Sequence, residues 1–135
     1  MSLPDLGHRT DYRIYYEDTD AAGMVYYANY LKFAERARTE WLRSLGFEQS
    51  LLLKDEGIGF VVHHCEIDFL KPAKLDDLIT LETRLQELGK VRMTMQQVVK
   101  RGDTILAELS VGLACVDRNS KPVRWPQALI SALEK

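Results

Sequence analysis

The chain has 135 residues, 46% of them hydrophobic and 28% charged, which is enough for one domain with its own core and excludes a disordered or fibrous protein. A net charge of -2 at pH 7 gives no general attraction to nucleic acid or to an anionic membrane, so any anion must be met by a local group of Lys and Arg. No stretch approaches the ~20 apolar residues of a membrane span, and Met1 to Arg9 lacks a signal-peptide core, which points to a cytoplasmic chain.

Residues 1 to 8, with His8, read as a loose leader. From Arg9 to Tyr16 the residues alternate, with Tyr12, Ile14 and Tyr16 on one face, the pattern of a strand. A junction rich in acids and tyrosines follows, Glu17-Asp18-Thr19-Asp20-Ala21-Ala22-Gly23-Met24-Val25-Tyr26-Tyr27. Tyr30, Phe33, Ala34, Ala37, Trp41 and Leu45 then recur at helical spacing, with Glu35, Arg36 and Arg38 on the polar side; the helix runs from Tyr30 to Leu45 and Gly46 stops it.

Glu48 to Glu56 forms a second short helix, and beyond Gly57 and Gly59 the period falls from 3.6 to 2. Phe60 to Leu70 is a strand with Val61, His63, Cys65, Ile67 and Phe69 on one side, so His63 and His64 face opposite ways. Leu78 to Leu88, Val91 to Arg101 and Thr104 to Asp117 follow as strands. The last is almost continuously apolar, the mark of a central strand covered on both faces. Pro126 to Lys135 closes the chain as a short helix. Cys65 and Cys115 each sit in an apolar run and read as buried free thiols.

One strand, one long helix and four strands joined by short turns cannot build a doubly wound parallel sheet. The expectation is an α+β domain, an antiparallel sheet wrapped around one helix; strand order is left open by this pattern.

The acid-rich junction can carry chemistry. The opening amides of a helix have no partner within it and carry partial positive charge, so they suit a developing oxyanion. An aspartate just upstream, ionised at neutral pH, can attack a carbonyl or take a proton from water. The plainer reading stands beside it: Asp18 and Asp20 are also good turn and cap residues, because a short side-chain oxygen accepts from nearby amides.

The stretch from Tyr15 to Tyr30, continuing through Leu31-Lys32-Phe33-Ala34-Glu35-Arg36-Ala37-Arg38-Thr39-Glu40-Trp41-Leu42, resembles the signature of the 4-hydroxybenzoyl-CoA thioesterase family. Within it the likeness is to acyl-CoA thioesterases associated with the Tol-Pal envelope system of Gram-negative bacteria. It returns weakly in Leu70-Lys71-Pro72-Ala73 and in Cys115-Val116-Asp117-Arg118. The resemblance implies a hotdog fold over residues 1–135, about five antiparallel strands around one long central helix. It implies dimers that pair two sheets edge to edge, often assembled into tetramers.

It also implies that Asp20 is the catalytic acid, because it precedes Ala-Ala-Gly, and that the Tyr27 backbone amide holds the thioester oxygen. Gly23, Val25, Tyr26, Asn29 and Tyr30 fall where the substrate binds, and Asp18 braces the loop. The implied substrate is an acyl-CoA, or the thioester of an acyl carrier protein, with an envelope-associated protein as a further partner. Neither a metal nor any cofactor beyond the coenzyme A of the substrate is called for. Many relatives carry histidine where this chain has Tyr27; a role that uses only the backbone N–H survives that change.

Lys90 and the group Arg118, Lys121 and Arg124 are candidates to meet the phosphates of coenzyme A, though surface solubility accounts for them as well. Tyr16, Tyr26, Tyr30 and Phe60 are candidates to line the acyl pocket. The competing functions are a thioester-binding scaffold without turnover and a nucleotide-sugar transferase using Asp18-Thr19-Asp20 as a metal pair. The second lacks a Gly-rich phosphate loop. A hotdog dehydratase would need a His-plus-Glu pair that the sequence does not place.

Overall fold

The computed structural model describes residues 7 to 134. Strand β1 (His8–Arg13) leads through a 3-10 turn (Tyr16–Asp18) to helix α1 (Asn29–Ser44). Helix α2 (Gln49–Leu51) runs into a wider π-type turn (Leu52–Glu56), and strands β2 (Gly59–Phe69), β3 (Leu78–Leu88), β4 (Arg92–Arg101) and β5 (Thr104–Val116) follow. Helix α3 (Gln127–Leu133) ends the described chain. The strands form one sheet in the order β1-β3-β4-β5-β2, with every neighbouring pair antiparallel.

The period-2 pattern of β3 and β4 sets which face is buried. Ile79, Leu81 and Leu85 of β3 and Met93, Met95 and Val99 of β4 are buried, and α1 lays Phe33, Ala34, Ala37, Trp41 and Leu42 into the same core. α3 adds Leu129 and Leu133. Gln97 and Thr83 lie in phase with these apolar residues and are buried too, because they satisfy each other: Gln97 Nε2 donates to Thr83 Oγ1 at 3.0 Å and to the Ala34 carbonyl of α1 at 2.9 Å. Arg38 Nη1 donates to Gln97 Oε1 at 3.0 Å, so this arginine is drawn inward from the polar side of the helix where its spacing places it, and burial pushes its guanidinium below the usual value.

Several expectations are corrected. β1 stops at Arg13, because the Tyr15 N–H turns back to donate to Asp18 Oδ2 at 2.9 Å; Tyr16 is 83% exposed instead of sharing the face of Ile14. His8 opens β1 and is not leader; residues 1 to 6 of that leader lie outside the described residues, as does Lys135 of the closing helix.

The register of β2 on β5 shifts between Val62 and His64, so the two histidines do not split between faces. Both lie over Gly112, whose missing β-carbon position is 2.8 Å from His63 Nε2 and 3.3 Å from His64 Cβ. Cys115 is buried as expected, but Cys65 is exposed, because β2 is an edge strand with no neighbour beyond it. β5 lies between β4 and β2 and is buried on both faces over Val111 to Cys115, while Glu108 and Ser110 stay half-exposed.

Candidate active site

The junction before α1 is stitched from both sides. Val25 N–H donates to the Ala73 carbonyl at 2.9 Å and Leu75 N–H to the Gly23 carbonyl at 3.2 Å, which ties the turn to the connection between β2 and β3. Asn29 Nδ2 and Tyr26 N–H both donate to the Asp18 carbonyl, at 2.8 and 3.0 Å. With its carboxylate on the Tyr15 amide, Asp18 is a brace of the loop.

Asp20 caps the turn with one oxygen. Its Oδ1 accepts from Ala22 N–H at 2.9 Å and from Met24 N–H at 3.3 Å, an Asx-type arrangement that the left-handed backbone of Gly23, at φ +79°, completes. Among the described residues no hydrogen bond reaches Oδ2. The capping reading is therefore correct for one carboxylate oxygen and leaves the other open.

Asp20 borders a cavity of about 460 Å³ together with Tyr26, Tyr27, Tyr30, Phe69 and Lys71. At the helix start, Asn29 N–H donates to the Tyr26 carbonyl at 2.8 Å and Tyr30 N–H to the Tyr27 carbonyl at 3.3 Å. Among the described residues the Tyr27 and Ala28 N–H groups have no partner, so they are the open donors of this helix terminus. Asp20 and Tyr27, one of those two donors, thus line one cavity.

Its walls are aromatic. Phe69 meets the Tyr30 ring edge-on at 5.4 Å and the Tyr27 ring at 6.3 Å, while Tyr26 and Tyr27 lie 4.9 Å apart. A hydrogen bond to Tyr27 pushes the Tyr26 hydroxyl above its ordinary value. Tyr30 is buried, and its hydroxyl accepts from Ala73 N–H at 3.1 Å, so only its ring serves the cavity. Lys71 is the cation on the cavity wall.

Of the remaining candidates, Gly23 and Val25 shape the turn and Asn29 locks it to α1. Tyr16 and Phe60 do not line the cavity; Phe60 packs edge-on against Trp125 at 5.0 Å. Lys90 and Arg118 lie at the other end of the sheet from Phe69. The Lys90 carbonyl accepts from Trp125 N–H, and Arg118 Nη2 donates to the Leu53 and Lys54 carbonyls, each at 3.1 Å. The wall formed by Phe69, Lys71 and Pro72 carries no catalytic signature of its own; its only signal in the sequence is the short Leu70-Lys71-Pro72-Ala73 match.

A second hollow, of about 480 Å³, lies on the opposite face of the sheet. Glu82 in it pairs with Arg9 at 3.6 Å and with Lys100 at 2.9 Å, and no helix terminus enters it. Among the described residues no group of three His, Cys, Asp or Glu side chains is placed to hold a metal ion, and no helix is long and apolar enough to cross a membrane.

A five-stranded antiparallel sheet around one long helix, with an acid turn at that helix's N-terminus, defines a hotdog-type thioesterase. The model of the thioesterase superfamily matches residues 22–108, and the chain belongs to that superfamily. It is 44% identical over 129 residues to the acyl-CoA thioesterase YbgC of Haemophilus influenzae, covering 95% of each chain. A probable thioesterase from Bartonella henselae superposes with a TM-score of 0.86 at 41% identity, covering 89% of this chain and 99% of that one. A 4-hydroxybenzoyl-CoA thioesterase mutant crystallised with 4-hydroxybenzoyl-CoA superposes with a TM-score of 0.89 over 94% of this chain and 98% of its own; at 21% identity this likeness bears on the fold alone.

Proposed function

We propose that the chain is an acyl-CoA thioesterase in which Asp20 acts on the thioester carbonyl, as nucleophile or as general base toward water, and the Tyr27 N–H receives the oxyanion. One observation carries this: Asp20, with a carboxylate oxygen free of hydrogen bonds, and Tyr27, whose N–H has no partner among the described residues, line the same cavity. By either route water is consumed, the acyl group leaves as a carboxylate and coenzyme A leaves as the thiol. A thiolate leaves readily, so no acid need protonate it first, and a carboxylate with a preorganised donor suffices. No metal or other cofactor is called on. The 44% identity to an acyl-CoA thioesterase over nearly the whole chain supports the substrate class.

Tyr26, Tyr30, Gly23, Val25 and Asn29 shape the substrate site in this reading. The second copy is met along β2, a free edge with Val62 and Phe69 half-exposed. An antiparallel pairing of two β2 edges brings the far end of one sheet, with the partner's Lys90 and Arg118, beside the Phe69 end of the other, which places those cations nearer the coenzyme A phosphates. Dimers of this kind can assemble further into tetramers. An acyl carrier protein thioester offers the same carbonyl and is a second donor to assay. A cytoplasmic location fits the two free cysteines.

The decisive experiment is Asp20→Asn, assayed by release of free thiol from a panel of acyl-CoAs. Turnover is expected to fall by on the order of 100-fold or more, with the fold intact by circular dichroism. Unchanged turnover would remove Asp20 from the mechanism.

A further inference from the structure

The turn that carries Asp20 does not hold itself in place. Its outer hydrogen bonds run to Ala73 and Leu75, residues of the connection between β2 and β3 that also supplies the Lys71 and Pro72 wall of the cavity. That connection turns between Lys74 and Asp77, whose N–H donates to the Lys74 carbonyl at 3.1 Å. It is tied to the chain just past β1 by Asp76 N–H to the Ile14 carbonyl at 3.0 Å, and Asp76 is held at φ +72°.

A side-chain clamp adds to these backbone ties. Asp77 Oδ2 accepts from Lys74 N–H at 2.8 Å within the connection and from Arg101 Nη1 at 2.7 Å across from the end of β4. The same Nη1 reaches the Pro72 carbonyl at 3.3 Å, so one guanidinium spans the connection from Pro72 to Asp77. The pair is partly sheltered, with side-chain exposures of 37% for Arg101 and 21% for Asp77. Burial pushes the Asp77 carboxyl up, and the Lys74 N–H and Arg101 outweigh it, holding the group below its usual value. The path runs from the sheet through Arg101 to Asp77, on to Ala73 and Leu75, and so to the backbone of Gly23 and Val25.

We propose that Arg101 and Asp77 are positioning residues for the active site, setting where the Asp20 turn stands relative to the first amides of α1; the inference rests on the assignment of Asp20 made above. Neither side chain touches substrate. Displacing a reacting group by a fraction of an ångström lowers turnover without weakening ground-state binding, which separates this role from one in stability alone.

The test compares Arg101→Gln with Lys100→Gln, which breaks the neighbouring ion pair to Glu82 on the opposite sheet face. In Arg101→Gln, kcat for thiol release is expected to fall roughly tenfold while KM stays within about twofold. Exchange of the Val25 and Leu75 amides, followed by NMR, is expected to quicken about tenfold as the connection loosens. Lys100→Gln is expected to leave both readouts at the wild-type level. Arg101→Lys, which keeps a cation for Asp77 but not the planar span to Pro72, is expected to recover part of kcat. If Arg101→Gln turns over and exchanges like Lys100→Gln, the positioning role is wrong. Asp77→Asn carries the same two readouts should Arg101→Gln fail to fold. Retained turnover in Asp20→Asn overturns the assignment of Asp20, while the exchange rates still decide whether the clamp holds the turn.

Discussion

Asp20 shows how one side chain can satisfy two readings of a sequence. Turn residue and catalytic acid look like rivals along the chain, yet Oδ1 serves the Ala22 and Met24 amides while Oδ2, free of hydrogen bonds among the described residues, is compatible with the proposed role. The turn role was legible locally, because every atom involved lies within a few residues, whereas the proposed catalytic role came from the resemblance. Gly23 is the partner that makes the turn possible. A β-carbon there meets nothing within 4 Å, so Gly23→Ala tests the backbone alone: at φ +79° it is expected to cost about 1–2 kcal/mol in urea unfolding. Lys90 and Arg118 mark the limit of local reading. Whether a cation faces a ligand or a helix end depends on partners far off in sequence, and Arg118 places its Nη2 on the Leu53 and Lys54 carbonyls.

Among the elements, β3 and β4 were readable almost residue by residue, since alternation decides which face is buried. β2 was not. Its irregularity follows from the bare surface that Gly112 offers on the neighbouring strand, which the sequence of β2 does not contain. Helix α1 was legible in its apolar stripe but not in its anchor, because an amide within a strand pattern carries no hint that it will reach a helix carbonyl. Gln97 makes three hydrogen bonds in the core, to Ala34, Thr83 and Arg38. Gln97→Ala leaves the Arg38 donor and the Thr83 hydroxyl without that partner and opens a void, so a loss of roughly 3 kcal/mol is expected in urea unfolding. Circular dichroism should show α1 retained, because its packing by Phe33, Trp41 and Leu42 is untouched.

For the molecule as a whole, the α+β class followed from the count and spacing of elements, whereas the order β1-β3-β4-β5-β2 did not. Order depends on which strands find each other across the core, and short turns constrain only successive pairs. That order leaves β2 as a long open edge with Val61 42%, Val62 50% and Phe69 49% exposed, a surface that isolated domains usually blunt with charge or cover. On the proposed pairing of two β2 edges the wild-type chain is expected to sediment as a dimer and Val62→Lys to shift it toward monomer, with turnover falling in parallel if the second copy helps build the site. A wild-type chain that sediments as a monomer would contradict the proposed pairing.

The π-type turn of Leu52–Glu56 limits what position 57 can hold. Its trailing carbonyls are held by Arg118, whose guanidinium lies where a side chain at position 57 would begin: a β-carbon there would stand 2.9 Å from Nη1. A side chain at position 57 must displace the guanidinium and adopt a left-handed φ of +69°, so Gly57→Ala is strained in its backbone and disturbs the latch on those carbonyls.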